Sequence, residues 1–360
     1  MAKSCVVFYG RHASVSRLLS GFNILGRSGA LDVSFIENIN NFRNVPEGSM
    51  QIVEAEIDGK IIAFDLGDRW VLCEQSGKDY LNRVDAYFAR DYSNKTDIVT
   101  PEIFVDNKKV QPFGFNYYST FPGNPIDRPS SPLRKISKKI KDFSGYSQCT
   151  YPEYFEGRAD WKENGITIIF MARLWDDSAI KLDKNLPRDV YAYREYMIEE
   201  RQRINADRIE IMRRLKREYG DAFQGGMFQD SFSENRCPDL VVPKSFVKKK
   251  NYIDKMKNSD ICIGTMGLHR SIGWKTGEYV AAARAIVAER FEYVVPGGFD
   301  DGKHYIPYDT IDECLNAVDK LYSNPALLYE MKKANEKYYL EYLKPDRQIL
   351  NAFLQAGISV

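Results

Sequence analysis

Short unbroken apolar runs alternate along this chain with stretches in which apolar residues recur at helical spacing. Cys5 to Tyr9 is such a run, closed by Gly10, and Ser14 to Leu25 carries the helical spacing. A strand, a tight loop and a helix are expected there. Asp32 to Glu37 reads as a second strand. The runs MQIVEAEI and IIAFDL flank Asp58-Gly59, a pair suited to a type I′ turn, and predict a β-hairpin. A helix is expected over Lys78 to Asp91. The segment from Pro112 to Pro132, dense in Pro, Gly and aromatics, is expected to form an ordered but irregular loop.

Leu133, Ile136, Ile140 and Phe143 then recur at helical spacing among Arg134, Lys135, Lys138, Lys139 and Lys141. Two readings of this basic amphipathic helix stand: packing on its own domain, and peripheral contact with an anionic membrane. A fresh pattern begins near Gly165. ITIIFMARLW has the character of a buried strand, and Asp189 to Tyr219 that of a long charged helix. Short strands at Leu240 to Pro243, Asp260 to Gly264 and Ala285 to Glu289 alternate with helices at Lys249 to Lys257 and Gly277 to Ala283. Helices over Ile311 to Ser323, Pro325 to Tyr342 and Asp346 to Leu354 close the chain. Alternation of this kind implies a parallel sheet covered on both faces, hence an α/β fold.

A chain of 360 residues exceeds what one core usually serves, which favours two domains. The strand and helix signals lapse between Tyr146 and Glu163. The expected division is an acceptor-side domain over 1–155, a second domain over 156–342, and a helix over 343–360 returning to the first. Composition narrows the function classes. The 51 basic and 50 acidic residues nearly cancel, so no nucleic-acid partner is indicated and any anion site must be local. Six cysteines, with no Cys-x-x-Cys pair, read as reduced. The N-terminus lacks a signal-peptide pattern, and no window approaches the roughly 18 to 20 apolar residues of a membrane span. The expectation is a cytoplasmic protein, peripheral at the inner face of the membrane if the basic helix binds lipid.

Ligands of open parallel sheets bind beyond the carboxyl ends of strands. After ITIIFMA comes Arg173. After DICIG comes TMGLHRSIGWK, which gathers Gly267, His269, Arg270, Ser271, Gly273 and Lys275 and runs into a helix. Glycines admit a ligand to the backbone, a helix N-terminus carries partial positive charge, and Ser and Lys add donors, so this loop is an anion cradle without the Walker spacing. For proton transfer, His12 lies in the loop after the first strand, while Asp65 and Asp68 end a strand in FDLGDR. Each also has a plain structural reading, as a helix-start or turn residue. Asp176-Asp177 and Asp300-Asp301 read as turn caps rather than a metal site. The long charged helix reads as a solvated, ion-paired element without chemistry, and His304 as a surface residue.

These residues resemble a family. Arg173 after a strand, the glycine loop, and the run Gly-Glu-Tyr-x-Ala-x-x-x-Ala-Ile-Val from Gly277 look like nucleotide-sugar glycosyltransferases of the GT-B fold. The phrases PFGFNYY, FMARLW, GLHRSIGWKTGEYVA and YYLEYLKPD are similar to those of bacterial surface-polysaccharide members. The resemblance implies two Rossmann-like domains facing a central cleft, with the C-terminal one binding a nucleotide-diphosphate sugar as donor substrate. It implies that Arg173 and Lys275 contact the diphosphate and that Glu278 binds the ribose hydroxyls. It also implies a glycan or lipid-linked acceptor; fixed Arg, Lys and helix-end dipoles would stabilise the departing diphosphate, so neither a cofactor nor a metal is expected. Arg270 stands where the family motif has the first of its two glutamates, which leaves retaining and inverting chemistry both open. A sugar-nucleotide epimerase or hydrolase and a non-catalytic subunit of an assembly complex are the alternatives.

Overall fold

The computed structural model describes residues 2–38, 49–68, 74–96, 102–105, 107–129, 132–133, 136, 146–183 and 186–359. The chain divides into two compact units. One comprises Met1–Glu156, Tyr293–Gly298 and Tyr338–Val360; the other comprises Gly157–Glu292 and Phe299–Lys337. In chain order the described elements begin with β1 (Ala2–Phe8), α1 (Ser16–Arg27), β2 (Leu31–Glu37), β3 (Ile52–Ile57), β4 (Lys60–Asp65), α2 (Glu74–Leu81), β5 (Ala86–Ala89), β6 (Val110–Pro112) and α3 (Pro152–Phe155). They continue with β7 (Ile168–Ala172), α4 (Arg188–Tyr219), β8 (Phe223–Met227), α5 (Ser231–Arg236), α6 (Lys249–Lys257), β9 (Ile261–Gly264), α7 (Trp274–Ala281), β10 (Ala285–Glu289) and β11 (Ile306–Tyr308). Helices α8 (Ile311–Tyr322), α9 (Pro325–Tyr338) and α10 (Pro345–Gln355) follow.

The first unit is built on a sheet of order β2-β1-β3-β4-β5-β6. Strand β3 runs antiparallel to both β1 and β4, and the other pairings are parallel. The β3-β4 hairpin turns on Asp58 and Gly59 with φ of 49° and 81°, the paired left-handed residues that an Asp-Gly type I′ turn requires. Helix α1 buries Leu18, Leu19, Phe22 and Leu25 in a core shared with Ile349, Ala352 and Phe353 of α10. Gly21 permits the approach, since a Cβ there would stand 2.4 Å from the Pro345 carbonyl oxygen. Buried Arg17 donates to Gln348 and to the Leu343 carbonyl, and Gln348 Nε2 donates to the Phe113 carbonyl at 2.8 Å. The last helix is thereby fastened to the first unit by polar as well as apolar contacts.

The second unit holds the all-parallel sheet that the strand and helix alternation predicted, in the order β11-β10-β9-β7-β8. A single parallel bridge from Met227 to Val241 adds one more position beyond β8. Counted in sequence from β7, the order is then 3-2-1-4-5-6, the doubly wound order, and it reverses between β7 and β9. Strands β7, β9 and β10 are buried almost throughout, as expected for strands covered on both faces.

The architecture is the expected α/β one, two sheet-centred units flanked by helices, but several elements differ from expectation. The helix expected over Lys78 to Asp91 is α2 followed by β5, because Ala86–Ala89 is a fully buried segment hydrogen-bonded in register between β4 and β6. Leu240 to Pro243 is not a strand: Pro238–Leu240 is a 3-10 turn, leaving only the bridge at Val241. The helix expected to reach Tyr342 ends at Tyr338 and continues as a π turn over Tyr339–Leu343. His304 is buried rather than on the surface. Its Nδ1 accepts from the Asp300 amide at 2.9 Å, and burial lowers its pKa. Most of the basic helix expected over Leu133 to Phe143 lies outside the described residues. Among those described, no helix is long and apolar enough to cross a membrane.

Candidate functional site

The reversal between β7 and β9 is where a doubly wound sheet opens a crevice at its carboxyl edge. The segment leaving β7 carries Arg173, and the segment leaving β9 runs from Thr265 to Gly273 into α7. One side chain ties the two together. Arg208, 7% exposed in the middle of α4, donates to Thr265 Oγ1 at 2.9 Å, to the Arg173 carbonyl at 2.5 Å and to the Met266 carbonyl at 3.0 Å. Burial pulls its guanidinium down to about 10, with Glu289 opposing the shift. Three residues earlier, Asn205 takes both backbone groups of Trp175, at 2.8 and 2.7 Å. The charged helix is therefore not simply a solvated element. Glu200, Asn205 and Arg208 lie on the buried stripe with Ile204, Ile211, Met212 and Leu215, and they hold the loops in place.

Arg173, Lys275 and Glu278 come together through a series of rings. The Arg173 guanidinium lies 5.4 Å from the centroid of Phe228, and Lys275 Nζ lies 5.6 Å from the same ring. Lys275 is also 5.8 Å from the ring of Tyr252, which has Lys249 5.7 Å away. Lys249 then donates to Glu278 Oε1 at 2.6 Å. The order Arg173, Phe228, Lys275, Tyr252, Lys249, Glu278 is a ladder of cations and aromatic faces that ends on a carboxylate. Neither the Arg173 guanidinium nor the Lys275 ammonium has a hydrogen-bond acceptor among the described residues. Burial lowers the Lys275 ammonium to about 8; Glu278 opposes this, while Arg208, Lys249 and Arg173 add to it. Glu278 is 3% exposed, and its Oε2 is buried without a hydrogen bond among the described residues. Burial raises the Tyr252 phenol, and neighbouring Glu278 raises it further.

The rest of the expected cradle is arranged differently. His269 and Arg270 take the left-handed conformation, with φ of 60° and 57°. Their amides both point to one carboxylate of the protein itself: His269 N donates to Glu200 Oε2 at 2.9 Å and Arg270 N to Oε1 at 3.1 Å. The loop is thus an anion-binding turn whose anion is internal. The Arg270 side chain pairs with Glu292 at 2.6 Å, and the His269 ring stacks on Tyr193. Ser271 is buried, its carbonyl accepting from Gly267 N at 2.7 Å, and Gly273 caps α7. Of the seven residues expected to bind the donor, Arg173, Lys275 and Glu278 form the ladder, while His269, Arg270, Ser271 and Gly273 build the loop beside it.

The expected bases lie at the carboxyl edge of the first unit's sheet. His12 caps the turn before α1, its Nδ1 accepting from Ser14 N at 3.3 Å and meeting Ser14 Oγ at 2.8 Å. Asp65 is 3% exposed and accepts from Gly67 N at 3.0 Å and Tyr87 Oη at 2.6 Å. The Asp68 side chain is 55% exposed and is paired with buried Arg90. Strand β3 separates His12 from the two aspartates. Sequence reasoning missed Asp91, just beyond β5. It is 3% exposed, neither oxygen is hydrogen-bonded among the described residues, and Arg90 Nε is 4.0 Å away. Burial pushes its carboxyl up to about 8, against the pull of Arg90.

No protein-family model and no curated protein matches the chain. Among solved structures it is similar to the C-terminal domain of the glycosyl transferase group 1 family protein LpcC from Francisella tularensis, at 12% identity over 54% of this chain and 97% of that one, with a TM-score of 0.35. It is similar to a mutant of S. aureus TarM in complex with Fondaparinux, alpha-GlcNAc-glycerol and UDP, at 11% identity over 79% of this chain, with a TM-score of 0.39; it spans 46% of the TarM chain. It is also similar to Anabaena HepE in complex with UDP and glucose, at 9% identity over 98% and 100% of the two chains, with a TM-score of 0.39.

Proposed function

We propose that this chain is a glycosyltransferase that takes a sugar from a nucleotide-diphosphate donor bound by Arg173, Lys275 and Glu278. The observation that carries the reading is the pair of cations on Phe228, each without a hydrogen-bond acceptor among the described residues, at the switch point of a doubly wound sheet. Cations with no hydrogen-bond acceptor among the described residues suit a dianionic group, and Glu278 Oε2, without a hydrogen bond among those residues, suits a hydroxyl donor on the same ligand. A nucleoside diphosphate sugar offers both.

In transfer, an acceptor hydroxyl attacks the anomeric carbon while the bond from that carbon to the diphosphate oxygen breaks. The electron pair leaves with the diphosphate, and preorganised Arg173 and Lys275 stabilise the charge that develops there, so the reading is a metal-independent one. The hydroxyl proton passes to a general base. A glycan or lipid-linked acceptor in surface-polysaccharide synthesis is the finer form of the proposal.

The test is a screen of nucleotide sugars by thermal shift, followed by product analysis with and without acceptor saccharides. A donor that raises the melting temperature and is consumed only with an acceptor supports transfer. Turnover of the donor alone would favour an epimerase or hydrolase instead.

A further inference from the structure

Glu278 is held in an unequal way. Its Oε1 is engaged by Lys249 at 2.6 Å, whereas its Oε2 is buried beside the Tyr252 side chain and has no hydrogen bond among the described residues. Lys249 is the first residue of α6, and its ammonium also lies against the Tyr252 ring one turn later. A buried carboxylate oxygen left without a donor is costly, and the cost is relieved when a ligand supplies one. The cation on the other oxygen fixes which oxygen stays open.

Resting on the donor reading above, we propose that Lys249 is a positioning residue acting through Glu278, and that it sets the preference of the site for a nucleoside diphosphate with an intact ribose diol over the 2′-deoxy form. By holding Oε1 it presents Oε2 as an acceptor for a ribose hydroxyl. The diphosphate is left to Arg173 and Lys275. Two contributions to affinity follow, one from hydroxyl recognition through Glu278 and Lys249, the other from charge through the pair on Phe228.

The experiment titrates three probes into the full chain by calorimetry: a ribonucleoside diphosphate, its 2′-deoxy counterpart and inorganic pyrophosphate. The proteins are wild type, Lys249→Met, Lys249→Gln and Lys249→Arg, each checked by thermal unfolding. The wild type should prefer the ribo form by about tenfold. Lys249→Met should lose most of that preference and keep pyrophosphate affinity close to wild type, while Lys249→Arg should retain much of the preference. Lys249→Gln carries the same comparison if the Met variant does not fold. An unchanged ribo preference in the folded Met or Gln variant would overturn the proposal, as would a loss of pyrophosphate affinity as large as the loss for the ribonucleotide, which would make Lys249 a phosphate ligand. If the wild type binds no nucleoside diphosphate, the donor reading itself fails, a result distinct from either of these.

Discussion

Arg208 donates to the carbonyl oxygen of Arg173 at 2.5 Å, so a buried cation on the long helix fixes the backbone of an exposed cation at the switch point. The same guanidinium holds Thr265 and Met266 on the neighbouring loop. Replacing it leaves three acceptors without their donor. Arg208→Met is expected to destabilise the protein by about 3 kcal/mol, and Arg208→Lys to recover little, because an ammonium cannot span the fork. Urea unfolding of both variants checks this; an unchanged midpoint for Arg208→Met would remove Arg208 from the account.

Lys275 gives the site a pH dependence. Its ammonium is lowered to about 8, so in the free protein it is charged below that value and loses its proton as the pH rises through it. Only the charged form attracts a diphosphate. Affinity is therefore expected to fall from pH 7 to 9.5 in the wild type and to stay flat in Lys275→Arg, whose guanidinium does not titrate in this range. Calorimetric titration with a nucleoside diphosphate across that range decides it, and a flat wild-type profile would contradict the placement of Lys275 on the ligand.

Glu200 occupies the amides of His269 and Arg270 and also accepts from Tyr196 Oη at 2.7 Å. Glu200→Ala removes the internal anion and leaves two amides in left-handed residues without acceptors, at a cost of about 2 kcal/mol. Hydrogen exchange should accelerate at those two amides before it does so in β9. Unchanged protection there would mean that the turn does not depend on its carboxylate.

Asp91 affects stability with a defined sign. Its folded-state carboxyl is raised to about 8 from an ordinary 3.8, so the folded chain keeps a proton that the unfolded chain releases. The contribution of this group is fully present below the unfolded value and is lost as the pH rises through the folded one. Stability should fall between those two values in the wild type, and the slope should shrink in Asp91→Asn, which keeps the shape without the charge. Denaturation curves at pH 5, 7 and 9 test the difference.

The elements most legible in the sequence were those with local signals. Asp58-Gly59 announced its hairpin, and the unbroken run at Ile168–Ala172 announced a strand buried on both faces. Ala86–Ala89 was absorbed into a predicted helix because four apolar residues have no period of their own. Their strand state is set by the partners β4 and β6. At the site, Arg173, Lys275 and Glu278 could be nominated from their places after strands and in a helix. Phe228, Tyr252 and Lys249 could not, since only the tertiary fold brings residues so far apart in sequence onto shared rings. Glu200, Asn205 and Arg208 did leave a trace, as polar residues in phase with Ile204 and Ile211, but the dense charge of that helix masked it.

The measurement closest to the central claim is calorimetric binding of nucleoside diphosphates to wild type, Arg173→Ala and Lys275→Ala. Measurable binding to the wild type is expected, with a loss of about tenfold or more in each variant and melting temperatures that stay near wild type without ligand, since neither cation has a hydrogen-bond acceptor to lose among the described residues. Binding of equal strength in all three proteins would contradict it.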